Sequence, residues 1–288
     1  MKTINSLSGG RTSSYMAVHY PSDVNVFALV EINDHRASPV DSKLIQKISD
    51  KIGHQFIATA EDDKTLILMF ELEQIIGREI TWLSARTFDS LFVKKHMFGG
   101  IPNRLPSWAR RYCTVELKIV PIFEYCFLKL FESIHDIVEM RIGYRADEKH
   151  RQEQFLNSSN ESMLYPLYCN YYGQRRQVKR KLNWRKGSFP LIDDCITNSI
   201  VVKYWQNKSL QFPSQSNCVG CFHKDPVSLK LQWESAPKKM QWFADQEKIG
   251  KGSWLNNKLY YEKIKEMRFT LPISYDMAGS SCSGGCTD

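Results

Sequence analysis

The chain has 288 residues, of which 42% are hydrophobic and 12% aromatic, and its formal net charge is +8 at pH 7. This length and composition are typical of a globular protein with one large α/β domain, or one domain with a smaller appendage. The longest apolar stretches, such as 65–70, are too short to span a bilayer, and the first residues lack the apolar segment of a signal peptide. We therefore expect a cytoplasmic protein with no membrane partner.

The first predicted elements enclose a phosphate-binding loop. Residues 3–7 predict a short strand, and a helix follows over 13–19. Glycines between them let the backbone approach an anion, and the free N–H groups at the start of the helix face that anion. Small hydroxyl side chains add hydrogen-bond donors. An ordinary glycine turn is the alternative interpretation. The candidate nucleotide-binding residues are Ser8, Gly9, Gly10, Thr12 and Ser13.

Predicted strands and helices alternate along the rest of the chain. Strands are predicted at 24–30, at 55–60 and within 134–142, and helices at 41–52, 61–77, 121–131 and 198–206. This alternation predicts an α/β fold with a doubly wound parallel sheet over residues 1–210. Residues 211–288 are predicted to form a small cysteine-containing C-terminal region, and 152–162 an exposed loop.

Basic residues are concentrated at 174–186, and the aromatic residues Tyr171, Tyr172 and Trp184 accompany them. Basic side chains can follow a phosphate backbone while aromatic rings stack on bases. The segment therefore indicates nucleic acid, or a nucleotide-bearing substrate, as a candidate partner. A solvated basic surface is the alternative.

Paired cysteines are the second strong signal. Cys218 and Cys221 flank Val-Gly, with His223 two residues on, and Cys282 and Cys286 lie near the C-terminus. In a cytoplasmic protein such pairs indicate metal or redox chemistry, and a glycine-containing turn can direct both thiolates at one ion. We expect Zn²⁺ bound by the four cysteines, with His223 as a substitute ligand. Alternatively, the second pair is independent of the first, because 60 residues separate Cys221 from Cys282. An iron–sulfur cluster, a redox-active tail and inert thiols are the alternatives.

The loop beginning at Ser8 resembles the SGGxxS loop of the PP-loop superfamily, which comprises the N-type ATP pyrophosphatases and the phosphoadenosine phosphosulfate (PAPS) reductases. Further segments resemble those of PAPS reductase-like proteins and follow in the family's order, so that the resemblance covers about residues 1–225. These segments are R-x-C-x-x-x-L-K-x-x-P at 111–121, the Gly143 and Arg145 region at 141–151, Pro190–Asp193 with the helix at 198–205, and the cysteine segment at 217–223.

The resemblance implies binding of ATP, or of a PAPS- or adenylylsulfate-type nucleotide, together with Mg²⁺. It also implies roles for single residues. Ser8, Gly9, Gly10 and Ser13 would hold the phosphates. The cations around them would be Arg11, Lys118 and Arg145, Asp34 would contact Mg²⁺ or the ribose, and Cys113 is a candidate sulfur carrier or, alternatively, a buried core thiol.

The chain also departs from the family. Thr12 stands where many superfamily members carry Asp, Cys113 has no adjacent cysteine, and the Glu-Cys-Gly-Leu-His tail of PAPS reductases is absent. Three hypotheses follow: an ATP pyrophosphatase that adenylates an acceptor for sulfur or nucleic-acid modification, a thiol-dependent sulfonucleotide reductase, and a zinc-bearing nucleotide- or nucleic-acid-binding protein without turnover.

Overall fold

The computed structural model describes residues 1–93, 105–107, 111–158, 161–171, 174–255 and 259–269. The strands are β1 (Thr3–Leu7), β2 (Val24–Ala28), β3 (Glu31–Ile32), β4 (Ala58–Thr59), β5 (Ile80–Leu83), β6 (Val138–Arg141), β7 (Ser162–Tyr171), β8 (Gln174–Asn183) and β9 (Arg185–Ser188). The α-helices are α1 (Arg11–His19), α2 (Ser42–Ile52), α3 (Asp63–Ile76), α4 (Ser90–Val93), α5 (Tyr112–Thr114), α6 (Val120–Tyr125), α7 (Lys149–Leu156), α8 (Pro190–Asp193), α9 (Asn198–Gln206), α10 (Pro226–Ser235), α11 (Pro237–Ile249) and α12 (Tyr261–Glu266). Segments of π-helix, Val115–Ile119 and Cys126–Leu130, make 112–130 continuous.

Five strands form one parallel sheet in the order β5-β2-β1-β6-β9. From β1 at the centre the chain builds outward to β2 and β5, and then returns to place β6 on the other side of β1 and β9 beyond it. The carboxyl ends of β1 and β6 therefore lie side by side where the winding reverses. The predicted α/β class and parallel sheet are confirmed.

Helices cover both faces of this sheet. Successive strand residues point to opposite faces, so Phe27 and Leu29 pack with α1, α2, α3 and α9, whereas Val26 and Ala28 pack with α6 and Phe155 of α7. Each of these four residues, in β2 or directly after it, is at most 5% exposed. Burial of such side chains stabilises the fold by about 1.5–3 kcal/mol each for the larger ones.

The helix boundaries follow local capping chemistry. Asp41 accepts a hydrogen bond from the N–H of Lys43 at the start of α2, and Gly53 ends that helix in the left-handed conformation, as predicted. The helix predicted at 61–77 is α3, with Asp62 as its N-cap and Gly77 as its C-cap. The helix predicted at 198–206 is α9.

The segment 55–60 was expected to be a third strand of the parallel sheet, and this prediction is wrong. Only Ala58 and Thr59 are extended, and they pair antiparallel with Ile32 and Glu31 outside the main sheet. The sheet position beside β2 is filled by β5, whose register sets Trp82 against Phe27. Its short Ile-Thr-Trp-Leu run after Gly77 gave little sequence signal.

The loop predicted at 152–162 is in part wrong too. Residues up to Leu156 complete α7, because Phe155 is buried against the ring of Phe189. The chain then enters a two-stranded antiparallel ribbon, β7–β8, which the sequence analysis did not predict and which contains most of the basic run.

The C-terminal helices share a hydrophobic cluster with the first part of the chain. Trp242, Trp254 and Tyr261 pack with Ala60 and Phe88 in this cluster. The proposed boundary near residue 210 stays a prediction. Among the described residues, no helix has the length and apolar character needed to cross a membrane.

Candidate functional site

The loop between β1 and α1 has the backbone geometry of an anion cradle. Gly9 has φ +76°, which side chains rarely tolerate, and a Cβ at this position would overlap Cγ2 of Thr65 in α3. Gly10 is the N-cap of α1 and brings no side chain to cap the helix. The local structure therefore explains why glycine occupies both positions. Because the N-cap residue has no side chain, no N-cap side chain hydrogen-bonds to the first N–H groups of this nine-residue helix.

Ser13 holds this loop together through its hydroxyl group. The N–H of Ser8 donates to Ser13 Oγ at 3.2 Å, and Ser13 Oγ donates to the carbonyl of Gly10 at 3.2 Å. The two serine hydroxyls lie 3.1 Å apart. Ser13 is buried and Ser8 is half-buried, so Ser8 is the more accessible of the two predicted phosphate ligands.

The loop after β6 meets the start of α1. Gly143 approaches so closely that a Cβ there would lie 3.3 Å from Cα of Ser13. Two residues on, Arg145 Nη1 donates to Thr12 Oγ1 at 3.0 Å. The Arg145 side chain is 15% exposed and lies beside the carboxylates of Asp147 and Glu148. The structure therefore brings Thr12, Ser13 and Arg145 together, although 133 positions separate Thr12 from Arg145.

Lys118 lies in a buried ion pair. Its Nζ is 3.1 Å from Oε1 of Glu61, and only 11% of the Lys118 side chain and 1% of the Glu61 side chain are exposed. The other carboxylate oxygen of Glu61 accepts from the N–H of Val30, just beyond β2. Sequence reasoning missed Glu61. Its signal was a carboxylate directly after a predicted strand.

Arg11 begins α1 and packs against the segment after α9. Its guanidinium carbon lies 5.6 Å from the ring centroid of Phe212, and Trp205 Nε1 donates to the Arg11 carbonyl at 2.9 Å. The backbone of Arg11 is thus fixed by α9, while its guanidinium is held over an aromatic ring.

Asp34 has a different environment from the one expected. Both of its carboxylate oxygens accept hydrogen bonds from Arg36, and Arg36 also contacts Asp245 of α11 at 2.9 Å. The hydrogen bond from Arg36 lowers the pKa of Asp34. Asp34 also accepts from the N–H of Arg36 and caps a short 3₁₀ turn, His35–Ala37. Contact of Asp34 with Mg²⁺ or ribose stays a prediction.

The first cysteine pair lies beside the loop between β1 and α1. Ser216 approaches Gly10 so closely that a Cβ on Gly10 would be 3.0 Å from Ser216 Oγ. Val219 donates its N–H to the Ala60 carbonyl at 2.8 Å, next to Glu61. The turn between Cys218 and Cys221 is closed by a 3.1 Å hydrogen bond from the Cys221 N–H to the Cys218 carbonyl. The two contacts hold this turn at the carboxyl edge of the sheet.

The remaining candidate ligands are only partly described. Cys113 lies in α5, is half-buried, and packs on the same hydrophobic cluster as Cys218. His223 lies beside the ring of Phe222, with centroids 4.6 Å apart. Cys282 and Cys286 lie outside the described residues. Within the described ranges no group of three His, Cys, Asp or Glu side chains is arranged to hold a metal ion. The described cysteine turn thus supplies two thiols, half of a tetrahedral zinc set.

Comparisons of the chain with family models, with curated proteins and with solved structures found no match. Function is therefore inferred from the chemistry of the site. Its described parts are a glycine loop, a helix start, a nearby arginine, a lysine–glutamate pair and a two-cysteine turn, all at the carboxyl edge of the sheet.

Proposed function

We propose that the chain binds ATP at the β1–α1 loop and transfers the adenylyl group to an acceptor, as the resemblance to PP-loop ATP pyrophosphatases implies. One observation carries the proposal. Two glycine-dependent loops, at Gly9 and Gly143, meet where the winding of the parallel sheet reverses. Open α/β sheets bind their ligands at the carboxyl ends of strands at such a reversal, and phosphates favour the N-terminus of a helix there.

The chemistry asked of these residues is mostly positioning and charge neutralisation. The acceptor attacks the α-phosphorus, its bond to the bridging oxygen breaks, and the β- and γ-phosphates leave as pyrophosphate. The first turn of α1 would hold the leaving phosphates, and Arg145 would neutralise charge that develops on them. Lys118 and Arg11 would neutralise phosphate charge as well. To reach the phosphates, Lys118 would have to move partly away from Glu61, and Arg11 partly away from the Phe212 ring. Asp34 is the candidate residue to hold Mg²⁺, which would supply further neutralisation of the phosphate charge when bound.

Turnover of α-labelled ATP with Mg²⁺ tests this proposal. The purified chain should release AMP or an adenylated acceptor together with pyrophosphate, with nucleic acid and without it. Ser13→Ala should reduce turnover, because the loop loses the hydroxyl that joins Ser8 to Gly10. Ser235→Ala, an exposed serine on α10, is the matched control. Tight ATP binding without any turnover would instead favour the binding protein without catalysis.

A sulfonucleotide reductase is the second candidate, and the position of the cysteine turn favours it. Ser216 contacts the phosphate-binding loop two residues before Cys218. In a balanced reaction, the Cys218 and Cys221 thiols would be oxidised to a disulfide, the sulfonyl group would leave as sulfite, and the nucleotide phosphate would remain. Thiol-dependent sulfite release that is lost in Cys218→Ser and retained in Cys195→Ser would select this reaction over adenylation.

Zinc binding stays part of the proposal as a structural role of the C-terminal region. Cys218 and Cys221 supply two ligands on one turn, and Cys282 and Cys286 would complete the set, with His223 as a substitute. Metal analysis of the purified full chain should find one Zn²⁺ per chain, and Cys218→Ser should reduce this content. Iron with a visible absorption band would indicate an iron–sulfur cluster.

A further inference from the structure

The β7–β8 ribbon is free of acidic residues. From 162 to 192 the chain has no Asp or Glu, while it contains Arg175, Arg176, Lys179, Arg180, Lys181, Arg185 and Lys186. The two strands are antiparallel, and their register runs from Ser162 opposite Asn183 at one end to Tyr171 opposite Gln174 at the other. Five of these seven basic residues lie in β8 and two in β9, so the ribbon itself carries five positive charges in a chain whose net charge is +8.

One face of the ribbon is anchored to the protein. Residues opposite each other in an antiparallel pair share a face, so Met163 with Leu182, and Tyr165 with Arg180, lie on the same side. Met163 and Leu182 are buried in the cluster that contains α6. The hydroxyl of Tyr165 donates to Oε1 of Glu124 at 3.3 Å. These contacts fix the ribbon on α6.

The other face of the ribbon points to solvent. It carries Lys179 opposite Pro166 and Lys181 opposite Leu164, and both lysines are exposed, as is 43% of Leu164. Among the described residues, no carboxylate forms an ion pair with either lysine. We call Lys179, Lys181, Leu164 and Pro166 the outward face.

We propose that the outward face of the β7–β8 ribbon binds duplex DNA by entering its major groove and contacting the phosphates on its edge. The B-form major groove is wide enough for a two-stranded ribbon, whereas the major groove of duplex RNA is deep and narrow. Lys179 and Lys181 lie about 7 Å apart along the strand, close to the spacing of successive phosphates.

The exposed lysines have a competing explanation. Both strands of a two-stranded ribbon have an open edge, and charged residues on such edges prevent pairing with other chains. Substitution by glutamate separates the two explanations, because glutamate also protects an edge but repels phosphate. If protection is the only role, Lys179→Glu/Lys181→Glu leaves DNA binding unchanged.

The test measures binding of labelled duplex DNA by fluorescence anisotropy over a range of salt concentrations. We expect Lys179→Glu/Lys181→Glu to weaken binding by roughly tenfold or more at low salt, and to reduce the slope of log affinity against log salt by about 2. Lys43→Glu/Lys47→Glu on α2 changes the net charge equally at exposed positions and is the matched control, with near wild-type binding expected. Equal loss in both variants would overturn the proposal, because it would indicate attraction by net charge alone.

Further arms identify the occupant. Labelled single-stranded DNA and duplex RNA should bind more weakly than duplex DNA, and polyglutamate at equal charge should not displace the duplex. Preference for a single strand, for duplex RNA or for polyglutamate contradicts the proposal. Circular dichroism and thermal unfolding establish that the variants fold. The ribbon variant should bind ATP like the wild type, so failure of this proposal is distinct from failure of the proposed adenylation.

Discussion

Arg145 donates from Nη1 to Thr12 Oγ1 at 3.0 Å and thereby joins the loop after β6 to the first turn of α1. Many members of the PP-loop superfamily, which the loop resembles, carry Asp at the position of Thr12. An aspartate there would add a third carboxylate beside Arg145, which already forms ion pairs with Asp147 and Glu148. A neutral hydroxyl orients the guanidinium without adding negative charge next to it.

This relationship predicts that Arg145 contributes directly to nucleotide affinity. Arg145→Gln should weaken ATP binding by roughly 10- to 100-fold, because a hydrogen bond to a charged group contributes about 1.5–3 kcal/mol. Isothermal titration calorimetry with a non-hydrolysable ATP analogue measures the change. Arg78→Gln is the control, since Arg78 donates to the Ser22 carbonyl at the opposite edge of the sheet. Equal affinity of Arg145→Gln and wild type would remove Arg145 from the site.

Thr12→Asp tests the same pairing from the other side. The new carboxylate should bind the Arg145 guanidinium and repel phosphate, so ATP affinity should fall at least as far as in Arg145→Gln. Thr12→Ser keeps the hydroxyl and should bind ATP nearly as well as the wild type. A Thr12→Asp variant with improved affinity would indicate that the carboxylate serves Mg²⁺ instead.

Substitution of Gly9 should lower the free energy of unfolding because of one neighbouring side chain, Thr65. Gly9 and Gly53 both have φ +76°, but a Cβ on Gly9 overlaps Thr65 Cγ2, whereas a Cβ on Gly53 has no atom within 4 Å. Gly53→Ala should therefore lose only the backbone contribution, about 1 kcal/mol, and Gly9→Ala should lose about 1–3 kcal/mol more. Urea unfolding of both variants measures the difference.

A second substitution separates the steric effect of Gly9 from the backbone effect. Thr65→Ser removes Cγ2, so Gly9→Ala/Thr65→Ser should recover most of the additional loss. If the double variant is no more stable than Gly9→Ala, the left-handed backbone alone accounts for the requirement for glycine. ATP affinity of the double variant then reports whether the loop backbone kept its geometry.

The sequence predicted local features better than tertiary ones. The Gly9–Gly10 loop, the Asp41 and Gly53 caps and α9 followed from neighbouring residues, because glycine conformation and capping are short-range effects. The pairing of 55–60 was mispredicted, since an apolar run does not show which strand it joins. The Glu61–Lys118 pair joins positions 57 residues apart, and no local pattern could reveal it.

The buried ion pair of Glu61 and Lys118 should make Lys118 important for stability. Lys118→Met leaves the Glu61 carboxylate buried without its cation and should destabilise the fold by about 3 kcal/mol. Adding Glu61→Gln removes the stranded charge, so the double variant should be more stable than Lys118→Met alone. Guanidinium unfolding of the wild type, Lys118→Met, Glu61→Gln and the double variant gives the coupling free energy between the two side chains. The exposed pair of Lys248 and Glu262 is the control and should show little coupling.

The Lys118 cycle also separates a structural role from a catalytic one. The double variant restores the fold without restoring a cation near the phosphates. Its ATP turnover should therefore stay low while its stability recovers. Turnover that recovers together with stability would mean that Lys118 only balances Glu61.

The buried carboxyl group of Glu247 should make the stability of the C-terminal helices depend on pH. The residue is 3% exposed, its carboxylate accepts hydrogen bonds from the N–H groups of Trp254 and Tyr261, and burial raises its pKa from 4.5 to about 7. The folded chain therefore holds this proton more tightly than the unfolded chain does. Protonation of Glu247 therefore adds to the free energy of unfolding. This stabilisation is fully present below pH 4.5 and is lost as the pH rises through about 7.

The expected loss between these pH values has an upper bound of about 3 kcal/mol. Glu247→Gln cannot titrate, so the stability of the wild type relative to this variant should fall as the pH rises through this window, and chemical unfolding at a series of pH values measures it. Glu234→Gln removes an exposed carboxylate on α10 and should keep the wild-type slope. A wild-type chain that gains stability relative to Glu247→Gln with rising pH would show that the two backbone N–H groups stabilise the charged form more than burial disfavours it.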